Sequence, residues 1–543
     1  MTESISVDVL VLGGGSSGVA AAIQAARSGA RTLVCEESPW LGGMLTSAGV
    51  SAVDGNEGAL GGGIYRELRD HLEGHYGGAE ALRTGWVSNV CFEPHVGAQW
   101  FAEAAREAGV EVRLGARPLA VHREGECVVG ALLVGPEGEV EVRAKITVDA
   151  TELGDGLALA KIPYRLGRDA HSETGEDHAP QKADDELQDL TWVAILQKFD
   201  GKAPAIPRPA GYDPRLFSCS TKEHCHTTDE AVLNHKLHSW DGFLSYGALP
   251  KGKFMLNWPF HSNDYPLEVS VVESREERAK AWAAARARTL AFVHYMQNEL
   301  GHPEIGLAEG QFPASPDGLA YIPYIRESRR MVGAGLVREE EVVPRPGRER
   351  PPIQPRSIAV GDYFLDHHHS KAHLPPEERL VENYPSNAPF QVSYDALVPE
   401  TVDGFLAAEK NLSVSHIANG CTRLQPVSVA IGQAAGAAAA LCVEREVEPR
   451  ALDVALLQQR LISAGCVLTP YRDIDPTHEA FSAMQALALR TDDREPLFFE
   501  PDRPLESIEE HAYLCRRWGV ELSFEAGESR SALAIRAYRG EPR

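Results

Sequence analysis

Residues 7–36 read VDVLVLGGGSSGVAAAIQAARSGARTLVCE, and the rest of the chain is arranged around what they form. An apolar run, residues 7–12, is stopped by three glycines. Residues 16–29 carry the small apolar side chains of a buried helix ending near Gly29, and residues 31–36 are a second apolar run. Strand, helix and strand in that order predict a βαβ unit. The first turn holds Gly13-x-Gly15-x-x-Gly18. Gly13 permits the tight turn, Gly15 lets the backbone approach a pyrophosphate, and Gly18 lets the helix pack on the strand. The helix start, with Ser16 and Ser17 in its first turn, turns unbonded N–H groups and a positive dipole end toward phosphates. Glu36 ends the second strand, where an acid accepts hydrogen bonds from ribose hydroxyls and disfavours a 2′-phosphate. A glycine-rich turn without a ligand is the plain alternative.

Further motifs extend outward from this unit. SPWLGGMLTSAG, residues 38–49, places Gly42, Gly43, Met44 and Thr46 just beyond Glu36, a glycine pair for which a nicotinamide enzyme has no need. Asp149-Ala150-Thr151 follows an apolar strand and leads through Glu152 and Gly154 to Asp155. Then come IPYRLGRD (162–169), TGED (174–177), YIRESRRMVG (324–333), GDYFLDHHHS (361–370) and LSVSHIANGCTRLQPVSVAIGQAAG (412–436). Over residues 5–445 these motifs resemble the bacterial FAD-dependent oxidoreductases of the glutathione-reductase-like superfamily, distant relatives of the fumarate reductase and succinate dehydrogenase flavoproteins.

The resemblance implies non-covalently bound FAD as cofactor. It implies that Gly13, Gly15, Ser16, Ser17, Gly18, Glu36, Gly42, Gly43, Met44, Thr46, Asp155, Arg423, Gly432 and Gln433 contact it. It matches Arg168, Asp169, Gly175 and Glu176 to family elements, and Arg326, Glu327, Arg329 and Arg330 to another. Asp366 and His368 match an aspartate–polar–histidine element, with His367 standing where a small polar residue is expected. Ser415, His416, Arg423, Gln425 and Pro426 match the flavin-proximal segment, with Gln425 in place of an expected glutamate.

Physical chemistry adds to this. A helix of small residues around Gly432-Gln433-Ala434-Ala435-Gly436 lets a flavin ring come close, and its N-terminus stabilises negative charge on a reduced ring; tight core packing accounts for the same residues. Arginine forks at Arg326, Arg329 and Arg330 suit carboxylates or phosphates and equally suit ion pairs with Glu327. His367, His368 and His369 alternate sides in an extended chain, so at most two share a face. One of them, His368, oriented by Asp366, suits a general base, as does His416; solvated or structural histidines are the alternative. The catalytic candidates are thus His368, His416, Arg326 and Asp366. Glu223, His224, Cys225, His226, His235 and His238 lack established zinc spacing, and no metal is expected.

Composition sets the outer bounds. The chain has 543 residues, 43% hydrophobic and 24% charged, and a net charge of −25. This is a globular composition, and the charge argues against nucleic acid or an anionic membrane as partner. The nine cysteines include no CxxC pair, and an odd number in a large chain predicts reduced thiols and a cytoplasmic setting without a disulfide framework. The N-terminus has no basic stretch before an apolar core and does not read as a secretory signal. Residues 426–443 are apolar but small, better suited to a buried helix than to a membrane span.

The predicted fold is α/β. A split Rossmann-like FAD-binding domain spans 1–160 and 401–470, a mixed α+β substrate domain is inserted at 161–400, and a helical appendage occupies 471–543. Residues 478–519 of the appendage resemble a single surface-layer-homology-like helical unit. Helices are expected at 94–108, 274–300 and 427–443, with strands near 110–114, 119–121, 128–134, 139–149 and 392–414. The expected function is hydride transfer between a small polar substrate and flavin N5, with a histidine handling the proton. A non-redox flavin-containing lyase or isomerase, or a binding protein with a vestigial nucleotide site, remains the alternative.

Overall fold

Strand β1 (Glu3–Leu12), helix α1 (Ser16–Arg27) and strand β2 (Thr32–Glu36) form the opening βαβ unit of the computed structural model. The structure describes residues 3–55, 62–225, 238–258, 262–369, 388–492 and 494–540. β1 begins earlier than its apolar run because Glu3–Ser6 pair with Val140–Arg143 of a later strand. After α2 (Gly63–Tyr76) comes α3 (Pro94–Ala108), with Pro94 in its first turn, where the missing N–H costs nothing. Strands β3 (Glu111–Leu114), β4 (Arg117–Glu124), β5 (Cys127–Gly135) and β6 (Gly138–Asp149) follow.

These strands build a mixed sheet in the order β3-β2-β1-β6-β5-β4. β1 is parallel to β2 and β6, whereas β4, β5 and β6 form an antiparallel meander. The first half of β6 pairs with β5, and its last residues pair in parallel with Phe405–Ala407, so the chain returns to its first sheet after more than 250 intervening positions.

Between the two visits lies a four-stranded antiparallel sheet. It consists of β7 (Ala194–Lys198), β8 (Ala248–Leu249), β9 (Lys253–Leu256) and β10 (Ile305–Leu307), in the order β8-β9-β7-β10. It packs with helix α4 (Arg275–Asn298), which is capped by the Ser274 hydroxyl accepting from the Glu277 amide. This body has its own apolar core, including Trp192, Ile195, Leu256, Trp258 and Phe292. Met44 belongs to that core too.

Strand β11 (Phe405–Ala407) leads to α5 (His416–Thr422) and α6 (Gln425–Arg445). By length and composition α6 could cross a membrane, yet 89% of its apolar window is buried inside the protein. Its small residues serve contact with α1. A Cβ on Gly432 would lie 2.0 Å from the Ser17 carbonyl oxygen, and one on Gly436 would lie 2.1 Å from that of Ala21. The C-terminal helices Phe481–Ala488, Ile508–Trp518 and Arg530–Arg539 share this main core through Phe481, Met484, Leu487, Trp518 and Leu533. The helices within 471–543 thus pack against the main core.

The cysteine reading needs correction at one point. Cys219 and Cys225 form a disulfide across a short loop, and the other seven cysteines are free thiols. An odd total does not forbid one local pair between neighbours in sequence.

Candidate functional site

The turn after β1 is shaped by contacts that exclude side chains. Gly13 has φ +90°, and a Cβ there would lie 2.4 Å from the Ala150 carbonyl oxygen. A Cβ on Gly18 would lie 1.9 Å from the Gly13 carbonyl oxygen, so the helix touches the strand turn directly. Glu36 accepts from the Gly14 amide at 2.8 Å and from the Ser38 amide at 2.8 Å. Burial pushes its carboxyl up to about 7. The 42–46 loop is tied to the same turn, because the Gly42 amide donates to the Gly14 carbonyl and the Ser16 hydroxyl to the Gly42 carbonyl, each at 2.9 Å. The Thr46 hydroxyl closes the loop on the Leu41 carbonyl at 2.6 Å.

Over Gly15 lie two carboxylates that the sequence does not single out. A Cβ there would be 3.1 Å from Glu152 Oε1 and 3.2 Å from Glu409 Oε2. Glu409 Oε2 accepts from the Ser17 amide at 3.3 Å and from the Ser17 hydroxyl. Lys410 Nζ bridges Glu152 at 2.7 Å and Glu409 at 3.2 Å. An anionic oxygen thus already sits on the N-terminus of α1, as the helix dipole and its unbonded amides favour. Together with Glu36 at the strand end, this cradle fits a dinucleotide pyrophosphate and ribose.

Asp155, Gly432 and Gln433, expected at the cofactor, each make close protein contacts. Asp155 pairs with Arg278 at 2.7 Å, Arg329 at 2.9 Å and Arg275 at 3.1 Å. Burial raises its pKa, but the arginines prevail and hold it at about 2. Gly432 is consumed by packing on α1. Gln433 accepts from the Ile64 amide at 2.9 Å and donates to Gln24 Oε1 at 2.8 Å, cross-linking three helices. Both ends of this core amide thus serve the junction between helices.

Arg326 to Arg330 are not helical and all buried, and the three arginines reach three different places. Arg329 joins Asp155. Arg330 binds Asp169 and, through Nε at 3.1 Å, Glu327. Arg326 donates to the Asp189 carbonyl and Thr191 Oγ1, each at 2.9 Å, and lies 3.5 Å from Asp264 Oδ1.

That last arginine ends a buried relay. Arg423, at the C-terminus of α5, donates to Tyr324 Oη at 2.6 Å and to Asp366 Oδ2 at 2.8 Å. Asp366 Oδ2 lies 3.3 Å from His368 Nε2, and His368 Nδ1 lies 2.8 Å from Asp264 Oδ2. Burial opposes charge on Asp366, yet His368, Arg423 and Arg326 hold its carboxyl far below the usual range. Asp264 is likewise held at about 2. Asp54 is a further residue that the sequence does not single out. It sits 3.4 Å from the Tyr363 hydroxyl, and burial, reinforced by Asp366, pushes it up to about 6. Gln425 Oε1 accepts from the Asp54 amide at 3.1 Å while its Nε2 donates to the Ala52 carbonyl at 3.4 Å. A glutamate could not make the second bond, which gives a reason for glutamine here.

His416 is not part of that relay. Its Nδ1 lies 2.9 Å from Glu327 Oε1, and its ring stacks near His367 and His369, with centroids at 4.9 and 5.5 Å. His367 and His369 share one side of the segment and His368 takes the other, as alternation in an extended chain requires. Burial pushes His367 and His416 well below the ordinary histidine range, so both rings are neutral near pH 7. Among the described residues His224 is not gathered with other ligands and Cys225 is disulfide-bonded, while His226 and His235 lie outside the described residues.

The family that the chain matches agrees with the cradle. The family model described as FAD dependent oxidoreductase matches residues 8–461. The alpha subunit of sarcosine oxidase from Corynebacterium sp. (strain U-96) is 46% identical over 55 residues, which are 10% of this chain and 6% of that protein. Among solved structures, a geranylgeranyl bacteriochlorophyll reductase-like protein from Thermoplasma acidophilum is 13% identical, covering 94% of this chain and 96% of its own, with a TM-score of 0.36. L-proline dehydrogenase from P. horikoshii is 16% identical, covering 37% of this chain and 62% of its own, with a TM-score of 0.24.

Proposed function

The chain belongs to the FAD-dependent oxidoreductase family, and from that premise we propose that it oxidises or reduces a small polar organic molecule, with His368 handling the proton. When bound, FAD supplies the two-electron chemistry, a hydride exchanged with a substrate carbon at N5. The residues that would hold it are those of the cradle: the Gly13–Gly18 turn and α1 N-terminus for the pyrophosphate, and Glu36 for the ribose. Glu409 must leave the Ser17 amide for the pyrophosphate to take it, and Lys410 stands ready to neutralise the displaced carboxylate. A glutathione-reductase-like division of the chain at residues 160, 400 and 470 is part of this reading, supported by the return of β11 to β6.

The observation that carries the proposal is the relay Arg423–Asp366–His368–Asp264–Arg326. Two carboxylates face the two ring nitrogens of His368 and fix its orientation, while the flanking arginines balance their charge. Asp54 and Asp366 are two carboxylates whose environments drive their pKa values apart, a division suited to acid and base roles. Tyr324, Tyr363 and Arg423 add donors of the kind a small polar substrate needs.

The test is anaerobic exposure of the purified yellow protein to a panel of sugars, hydroxy acids and amines. Loss of visible flavin absorbance with one of them supports the reading. Turnover with the flavin oxidised throughout replaces it with a lyase or isomerase, and a colourless protein that takes up no FAD replaces it with a vestigial nucleotide site.

A further inference from the structure

We propose that His367, His369 and His416 bind a divalent transition-metal cation of the zinc class, and that this ion fastens the segment carrying His368 to helix α5. One ring nitrogen from each histidine lies within 4.8 Å of the other two. A tetrahedral zinc with bonds of about 2.0–2.1 Å sets its ligand atoms roughly 3.3 Å apart, so closing the site takes small ring movements and no rebuilding of the backbone.

The outward side of each ring is what separates this cluster from histidines that merely stack. His416 Nδ1 faces Glu327 Oε1 at 2.9 Å, which leaves Nε2 as its inward atom. His369 Nδ1 faces Glu186 Oε1 at 3.4 Å. His367 Nε2 donates to the Ile417 carbonyl at 3.0 Å, which places the lone pair of that ring on Nδ1. One carboxylate and one carbonyl thus orient His416 and His367 by hydrogen bonds, the arrangement by which proteins fix the tautomer and raise the basicity of metal-binding histidines, while Glu186 stands near His369 without a hydrogen bond.

The inward side supplies the second observation. His416 is 1% exposed, and its Nε2 has no hydrogen-bond partner; His369 Nε2 has none either. Lone pairs turned toward one another in a buried place repel, and an unpartnered buried nitrogen costs free energy that a central cation would recover. Imidazole ligands suit zinc among the common divalent cations, and three of them leave a fourth position for water. The ion would have no redox part. Because His367 and His369 flank His368, the ion would set where the relay histidine stands.

The experiment uses the full-length protein loaded with FAD, expressed with zinc and then dialysed against metal-free buffer. Elemental analysis should find close to one zinc per chain in the wild type. His369→Gln, which changes the most accessible ligand, should fall below about a tenth of that at unchanged FAD content, and Glu327→Gln should bind zinc 10–100-fold more weakly. A wild type at background zinc, or His369→Gln with full zinc, overturns the proposal. If His369→Gln does not fold, chelator-stripped wild type is titrated with Co²⁺. Intense tetrahedral bands beyond the flavin absorption, saturating at one equivalent, support the site, and weak octahedral bands alone overturn it. FAD content, measured separately, keeps this outcome distinct from the fate of the redox reading.

Discussion

Two glycines of one turn should fail in different ways. At Gly15 the backbone is extended, with φ −60°, and a Cβ would meet the ends of two flexible carboxylates at 3.1 and 3.2 Å. Gly15→Val should therefore cost the FAD-free protein less than about 1 kcal/mol. The branched side chain nevertheless fills the face that a pyrophosphate needs. FAD retained after desalting should drop at least tenfold, which corresponds to about 1.4 kcal/mol of binding. At Gly18 a Cβ would stand 1.9 Å from the Gly13 carbonyl oxygen and 3.0 Å from Ala150 Cβ. Gly13 is itself held by its amide on the Cys35 carbonyl at 2.9 Å, so the turn cannot simply yield. Gly18→Ala should cost about 1–3 kcal/mol or more with or without FAD. At about 2.1 cal/mol/K per residue of unfolding entropy, 3 kcal/mol lowers the midpoint of a cooperative transition in this chain by roughly 3 °C. The assays are the flavin-to-protein absorbance ratio and thermal unfolding of the FAD-free proteins. Full FAD occupancy in Gly15→Val refutes the cradle assignment, and a wild-type midpoint for Gly18→Ala refutes the packing argument.

The relay gives further tests. His368→Ala should leave the resting flavin spectrum unchanged and slow flavin reduction by substrate about 10²–10⁴-fold, measured by anaerobic stopped flow; a wild-type rate across pH 6–9 would assign the proton to another group. Asp54, raised to about 6, is a carboxylate above that pH and protonated below it. If the carboxylate is the working form, the reduction rate declines as pH falls through about 6, and Asp54→Asn is slow and flat across the range; a variant that keeps the wild-type inflection excludes Asp54. Gly432→Val should loosen α6 from α1 at the Ser17 carbonyl, lowering both the unfolding midpoint and FAD retention, whereas a change in FAD retention alone would mean that Gly432 touches the cofactor.

The parts that the sequence makes legible are those built by neighbours in the chain. The β1-α1-β2 unit follows from apolar runs and glycines within thirty residues, and α3 from Pro94 and the periodic side chains behind it. Spacing alone could not tell an arginine-bearing helix from the irregular segment at 326–329 that leads into the short strand Arg330–Met331, because residues three or four apart are compatible with both. Glu409 reaches Ser17 only because β11 joins β6, a long-range pairing that leaves no local trace. For the same reason the meeting of His416 with His367 and His369, brought about by α5, leaves no mark in the local sequence. Small residues in α6 signalled close approach correctly, but the partner is a helix, with Gln433 serving that junction. Asp54 offered no motif, since its character comes from burial beside Asp366.

The divided pairing of β6 has a consequence for synthesis. Its first half finds β5 as soon as both have left the ribosome, because β5 is made first. Its last residues, Thr147–Asp149, must wait for Phe405–Ala407. At about 5–20 residues per second the ribosome delivers that segment roughly 13–50 s later. Meanwhile Ile146 and Val148, buried in the finished protein, belong to a strand end paired with β1 on one side and open on the other, an edge that other nascent chains can pair with. An edge left open in this way is a hazard of synthesis, one that the stability of the completed fold does not reveal.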